Sequence, residues 1–134
     1  MAAYTLAFPP TSGGQTISEF PEGVRVVKWV LTTADPDGTW YMAGHKSDKS
    51  VHTFGTIGTA TLTIQGSNES DVAVPANPVK LHDPSHGAAG LVFTTLPQLE
   101  QVLENTWWIR PSLTVPGAGA TVTVELLIET VARR

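Results

Sequence analysis

The chain has 134 residues, a formal net charge of −4, 41% hydrophobic and 15% charged residues, and no cysteine. That length suits one domain burying about two-thirds of its unfolded surface; the missing cysteine excludes disulfides and thiolate metal sites, and four scattered Lys and four Arg leave no basic stripe for nucleic acid. Eighteen threonines, twelve glycines and ten prolines point to pleated strands joined by tight turns.

The opening "MAAYTLAFPP" lacks the basic n-region of a signal peptide. The longest apolar run, "VRVVKWVL", is charged and too short to span a bilayer. A soluble chain made in a reducing cytoplasm, with no membrane partner, is expected. Residues 1–22 read as an extended arm rich in Pro, Gly and Ser, with Tyr4, Leu6 and Phe8 as apolar anchors toward a neighbouring subunit. Residues 23–134 read as a single domain.

"VRVVKWVLTT" (24–33) is β-branched and apolar on both faces, so it predicts a strand covered on both sides or lying at an interface, with Trp29 among the interface residues. "DPDG" (35–38) is a turn, "TWYMA" a possible return strand, and "GHKSDKS" a polar loop. "TATLTIQ" alternates, with Ala60, Leu62 and Ile64 inward and the threonines outward. "VKLHDPSHGAAGLVF" reads as two short strands around an Asp-Pro turn. "LPQLEQVLE" places Leu99, Val102 and Leu103 at i, i+3 and i+4 after Pro97, which predicts a helix of two turns.

"ATVTVELLIET" turns Ala120, Val122, Val124, Leu126 and Ile128 one way, and "VPGAGA" before it predicts a hairpin with the preceding strand. The expected fold is all-β, a β-sandwich of jelly-roll or Greek-key type with one short helix and an extended N-terminal arm. Its expected core holds Val26 or Val27, Val30 or Leu31, Leu62, Ile64, Leu91, Phe93, Ile109, Leu113, Val122, Val124 and Leu126.

Reaction chemistry is sparse. "HDPSH" (82–86) brings two histidines and an aspartate together, but His45 and His52 match no ligand spacing, so the segment reads as a polar turn with solvated histidines and no metal. Asp83, Ser85 and His86 are too local for a nucleophilic triad. Glu100 and Glu104 on the expected helix, and Glu125 and Glu129 on the outer face of a strand, read as solvated charges rather than a glycosidase pair. No catalytic residue and no cofactor is expected. Trp29, Trp40, Tyr41 and Trp108 could stack on sugar rings, or serve as core and interface residues.

The stretch "ENTWWIRPSL" (104–113) sharpens that choice. In a strand, Trp107 and Ile109 share one face and Trp108 and Arg110 the other, and only one face can point to the core. Trp108 and Arg110 are expected at an interface, because Trp and Arg dominate interface hot spots.

From Gly58 to Val131 the succession "TLTIQGSNES", "LHDPSHGAAGLVF", "LEQVLENTWWIRPSL" and "TVTVELL" resembles small head proteins of tailed bacteriophages and prophages. The Gln-Gly-Ser-Asn and Ile-Arg-Pro pieces are its most specific parts, and the resemblance covers a little over half the chain. It implies a capsid decoration (cement) protein that binds the outside of the head lattice. Its implied partners are the major capsid protein and further copies of itself, as a dimer or trimer. The implied location is the virion exterior, after synthesis in the bacterial host cytoplasm. A receptor- or sugar-binding module of a tail or fibre and a head–tail joining subunit are the alternatives.

Overall fold

A strand with one apolar row needs a second layer to cover that row. The computed structural model, which describes residues 4–7, 14–20, 23–44, 48–69, 72–114 and 119–129, provides it with two antiparallel sheets. The larger sheet contains β1 (Tyr4–Ala7), β2 (Gln15–Phe20), β3 (Val24–Thr32), β5 (Lys49–Thr56), β9 (Gln98–Val102) and β11 (Thr121–Glu129), in the order β1-β2-β3-β11-β5-β9. The smaller contains β4 (Tyr41–Met42), β6 (Thr61–Ser67), β7 (Val79–Lys80), β8 (Val92–Phe93) and β10 (Trp108–Thr114). Its order is β4-β10-β6, with β7 and β8 following one another along the free edge of β6. The chain changes sheet between β3 and β4, β4 and β5, β5 and β6, β8 and β9, β9 and β10, and β10 and β11. No helix among the described residues is long and apolar enough to cross a membrane.

The core lies between the sheets and follows the period of two. Val27, Trp29 and Leu31 of β3, and Val122, Val124, Leu126 and Ile128 of β11, face Leu62 and Ile64 of β6 and Ile109 and Leu113 of β10. Leu91 and Phe93 complete this core as expected, and of the two either-or pairs Val27 and Leu31 are the buried members. Gly66 sits where side chains crowd: a Cβ there would stand 2.7 Å from Leu81 Cδ2 and 2.8 Å from Thr106 Oγ1. The glycine of the Gln-Gly-Ser-Asn run is therefore a packing requirement.

Four expectations are corrected. The helix over 97–104 is strand β9, which pairs with β5 from Lys49–Val102 to Thr53–Gln98. Two turns of isolated helix are unstable in water, whereas the free edge of β5 offers a ladder. Val102 is buried, but Leu99 is 66% exposed, so the apparent helical stripe splits between two faces. The expected hairpin between "ENTWWIRPSL" and the closing strand is absent, because β10 and β11 belong to different sheets and β11 pairs with β3 and β5. Strand β5 begins inside the expected polar loop, at Lys49. Finally, the expected arm is not detached: β2 pairs with β3 from Gln15–Trp29 to Phe20–Val24, and β1 pairs with β2. Ile17 packs against the core.

Leu62→Ala, which empties a fully buried site, should cost about 2–4 kcal/mol in denaturant unfolding, while Leu99→Ala should stay within about 0.5 kcal/mol of wild type. Equal losses at the two positions would contradict the layering.

Candidate functional site

The outer face of the smaller sheet carries the side chains left over once β10 has turned Ile109, Pro111 and Leu113 inward. Trp108, Arg110 and Ser112 alternate with them. Arg110 Nε donates to Gln65 Oε1 at 3.0 Å, and its guanidinium carbon lies 4.5 Å from the centre of the Trp40 ring. Trp108 Nε1 donates to the Glu69 carbonyl at 3.0 Å, which fixes the ring while part of it stays accessible. Ser112 Oγ donates to Asp37. Exposed Met42 stands opposite Trp108 in the register, and Lys80 of β7 stands opposite Gln65. The result is a rigid aromatic and cationic platform with apolar margins.

Sequence reasoning placed Trp108 and Arg110 together on this face, and the structure does the same. Trp29 is corrected: it is 1% exposed, packed in the core, and its Nε1 donates to the Thr39 carbonyl at 2.9 Å. A buried indole needs an acceptor for its N–H, and the turn after β3 provides it. Trp107 shares parity with Ile109 but does not join the core. It precedes β10, half-buried, with its N–H bonded to Asn68 Oδ1 and its carbonyl accepting from Ala43 and Gly44. Tyr4 and Leu6 lie in β1 opposite Glu19 and Ile17, and Phe8 falls outside the described residues.

A second cluster sits where the edges of the two sheets meet. Asp83 is 2% exposed and accepts from Ser85 Oγ, from the His86 N–H at 3.1 Å and from His86 Nδ1. Burial pushes its carboxyl up, but the hydrogen bonds from His86, Glu100 and Ser85 outweigh that and hold it at about 2. Glu100, from β9, is raised by its hydrogen bond to Asp83 and by burial. The bond to Asp83 raises His86. Four residues upstream, the His82 N–H donates to Glu104 Oε1 at 2.7 Å and its ring bonds Glu104 Oε2. Burial opposes ionisation of Glu104, yet the two bonds from His82 lower it. Buried Lys49 reaches Asn105 Oδ1 at 2.8 Å, its amine lowered by burial against the pull of Asp48 and Glu104.

The "HDPSH" segment is thus a turn, as expected, and its histidines, though still in contact with solvent, are also paired with carboxylates. The donor atoms of Asp83, His86 and Glu100 lie within 4.8 Å of one another, and each is already engaged with another of the three. Sequence reasoning missed this cluster because Glu100 and Glu104 were placed on a helix. The four-residue spacing shared by His82/His86 and Glu100/Glu104 was the available signal.

The outer face of the larger sheet is of another kind. It holds a shallow depression of about 190 Å³ lined by Val26, Ser50, His52, Leu99, Glu125 and Leu127. Its centre is charge-balanced, since Glu125 stands between Lys28 and His52 in the register.

Comparison of the chain with protein-family models, with curated proteins and with solved structures finds no match.

Replacing Arg110 and Trp40 by Ala singly and together should give a coupling energy of about 0.5–1 kcal/mol in a double-mutant cycle of unfolding. Additive losses would mean that the guanidinium and the ring do not stabilise one another in solution.

Proposed function

We propose that this chain is a capsid decoration (cement) protein of a tailed bacteriophage, a structural rather than catalytic component. In this reading it binds the major capsid protein on the outer surface of the head and coats the lattice as a homo-oligomer. The observation that carries the reading is the platform of Trp40, Trp108 and Arg110, fixed by hydrogen bonds on the outer face of a rigid sheet. Partly accessible Trp and Arg on a preorganised surface lose little side-chain entropy on binding, which is what a lattice contact requires.

Two further points support it. The resemblance of residues 58–131 to small phage head proteins includes the Gln-Gly-Ser-Asn and Ile-Arg-Pro pieces, and both border this platform: Gln65 bonds Arg110, and Ser67 pairs with Trp108. In this reading the strand orders β3-β11-β5-β9 and β4-β10-β6-β7, with the repeated changes of sheet, are taken as a jelly roll built from two Greek keys. That architecture recurs in viral capsid and lectin domains.

A sugar-binding module is the second reading, favoured by the same accessible tryptophans. It is weaker because the Arg110 guanidinium already lies over the Trp40 ring. A head–tail joining subunit has no separate observation in its favour.

Purified protein added to heads assembled without it should bind in proportion to the major capsid protein and raise the temperature at which the heads disrupt. Trp108→Ala and Arg110→Gln should each weaken that binding by about 2 kcal/mol or more while leaving the domain folded by circular dichroism. Saturation at the copy number of a single ring would favour the joining role. Retention on a glycan array without binding to heads would favour the sugar module.

A further inference from the structure

The segment from His82 to Gly90 leaves the edge of the smaller sheet and returns to it. Its base is closed by backbone bonds: Leu91 N–H donates to the Leu81 carbonyl at 2.8 Å, Leu81 N–H to Ile64 at 2.9 Å and Ile64 N–H to Leu91 at 3.0 Å. Between those ends the side chains from Pro84 to Ala89 are exposed, and Asp83 is the buried one. The 3-10 turn at Gly87–Ala89 buries nothing. Apolar packing therefore does not hold this loop down.

What holds it is a set of polar contacts to the other sheet. Leu103 N–H donates to the His82 carbonyl at 2.9 Å, His82 bonds Glu104 twice, and Asp83 and His86 meet Glu100 of β9. We propose that the loop His82–Gly90 is a proton-operated clamp across the edge of the sandwich, fastened to β9 when His86 is protonated and loosened when that proton is lost.

The reason is the meeting of two carboxyl groups. Asp83 and Glu100 are in direct contact, and both cannot be ionised there without a positive group between them. His86 is that group, with Nδ1 on Asp83 and 3.9 Å from Glu100 Oε2. His82 faces Glu104, which also acts on Lys49 of β5 beside Asp48. The Lys80 chain and the His82 ring both border Gly90.

The signs fix the window. His86 is raised on folding, so its contribution is complete below the ordinary histidine value of about 6.5 and is lost as pH rises through the higher folded value. Glu100 is raised too, and its ionisation against Asp83 acts in the same direction. Asp83 and Glu104 are lowered, so their contributions are complete above about 4 and are lost as pH falls through their folded values. The clamp is tightest in weak acid and loosens toward alkaline pH.

Amide hydrogen exchange, corrected for intrinsic rates, tests this on the purified wild-type chain at pH 6 and pH 8.5, with the His86 ring titrated by NMR. Protection of Ser85–Gly90 should be about three- to tenfold greater at pH 6, with β3 and β11 unchanged and His86 titrating above 6.5. Glu100→Gln, which keeps a donor for Asp83 but removes the second charge, should flatten the dependence. The proposal is overturned by equal loop protection at both pH values, by a change shared with β3 and β11, by His86 titrating at or below 6.5, or by an unaltered dependence in E100Q.

Discussion

A strand bonded along both edges leaves no main-chain group for water, and it must bury one row of side chains. Strand β11 lives under that constraint. Every residue from Thr121 to Glu129 has a partner in β3, and those from Thr121 to Ile128 also have one in β5. Its row Val122, Val124, Leu126 and Ile128 is buried without interruption. Pairing on both sides forces β3 and β5 to point the same row inward, which puts Val27, Trp29, Leu31, Val51 and Thr53 in the core and sets what β6 and β10 must cover. Thr53, like Lys49 at the start of β5, departs from apolar filling, and its hydroxyl finds no hydrogen-bond partner in the structure.

The strict alternation of β11 and β6 was legible because one face of each is core and the other is polar, so period and burial carry the same information. Strand β3 was harder, since its outward row Val26, Lys28 and Val30 is nearly as apolar as the inward one. Parity then decided between Val27 and Val26 only once the partner strand was known. Strand β5 was illegible for the opposite reason: Lys49 and Thr53 occupy buried positions, so its inward row does not look like one. The hairpin and helix expectations failed on long-range grounds. Local sequence favoured a β10–β11 turn and a helical stripe at 99–103, and strands distant in sequence supplied better ladders.

The candidate sites divide along the same line. Trp108 and Arg110 could be placed on one face from spacing alone, because β10 is regular and Ile109 marks its inner side. The partners of the two histidines could not, since Glu100 and Glu104 reach them across the gap between sheets. Trp29 misled for a related reason: an indole on a strand with two apolar faces carries no sign of which face is closed.

The two outer faces of the sandwich differ in a way that bears on the proposed docking. Across the larger sheet the row Lys28–Glu125–His52 contains its own countercharge, so a partner's charge placed there meets attraction and repulsion together. Across the smaller sheet the row Arg110–Gln65–Lys80 has a neutral centre between two cations, in a chain whose net charge is −4. Gln65 accepts the Arg110 hydrogen bond without neutralising it, and Trp40 holds the guanidinium by its ring face rather than by a carboxylate. The guanidinium is thus positioned while its charge remains available. An acidic surface meeting this face would pair with groups already in place, and Trp108 and Met42 beside them would exclude water from the contact. Under the proposed docking, the smaller sheet rather than the broader one is therefore the face suited to the partner.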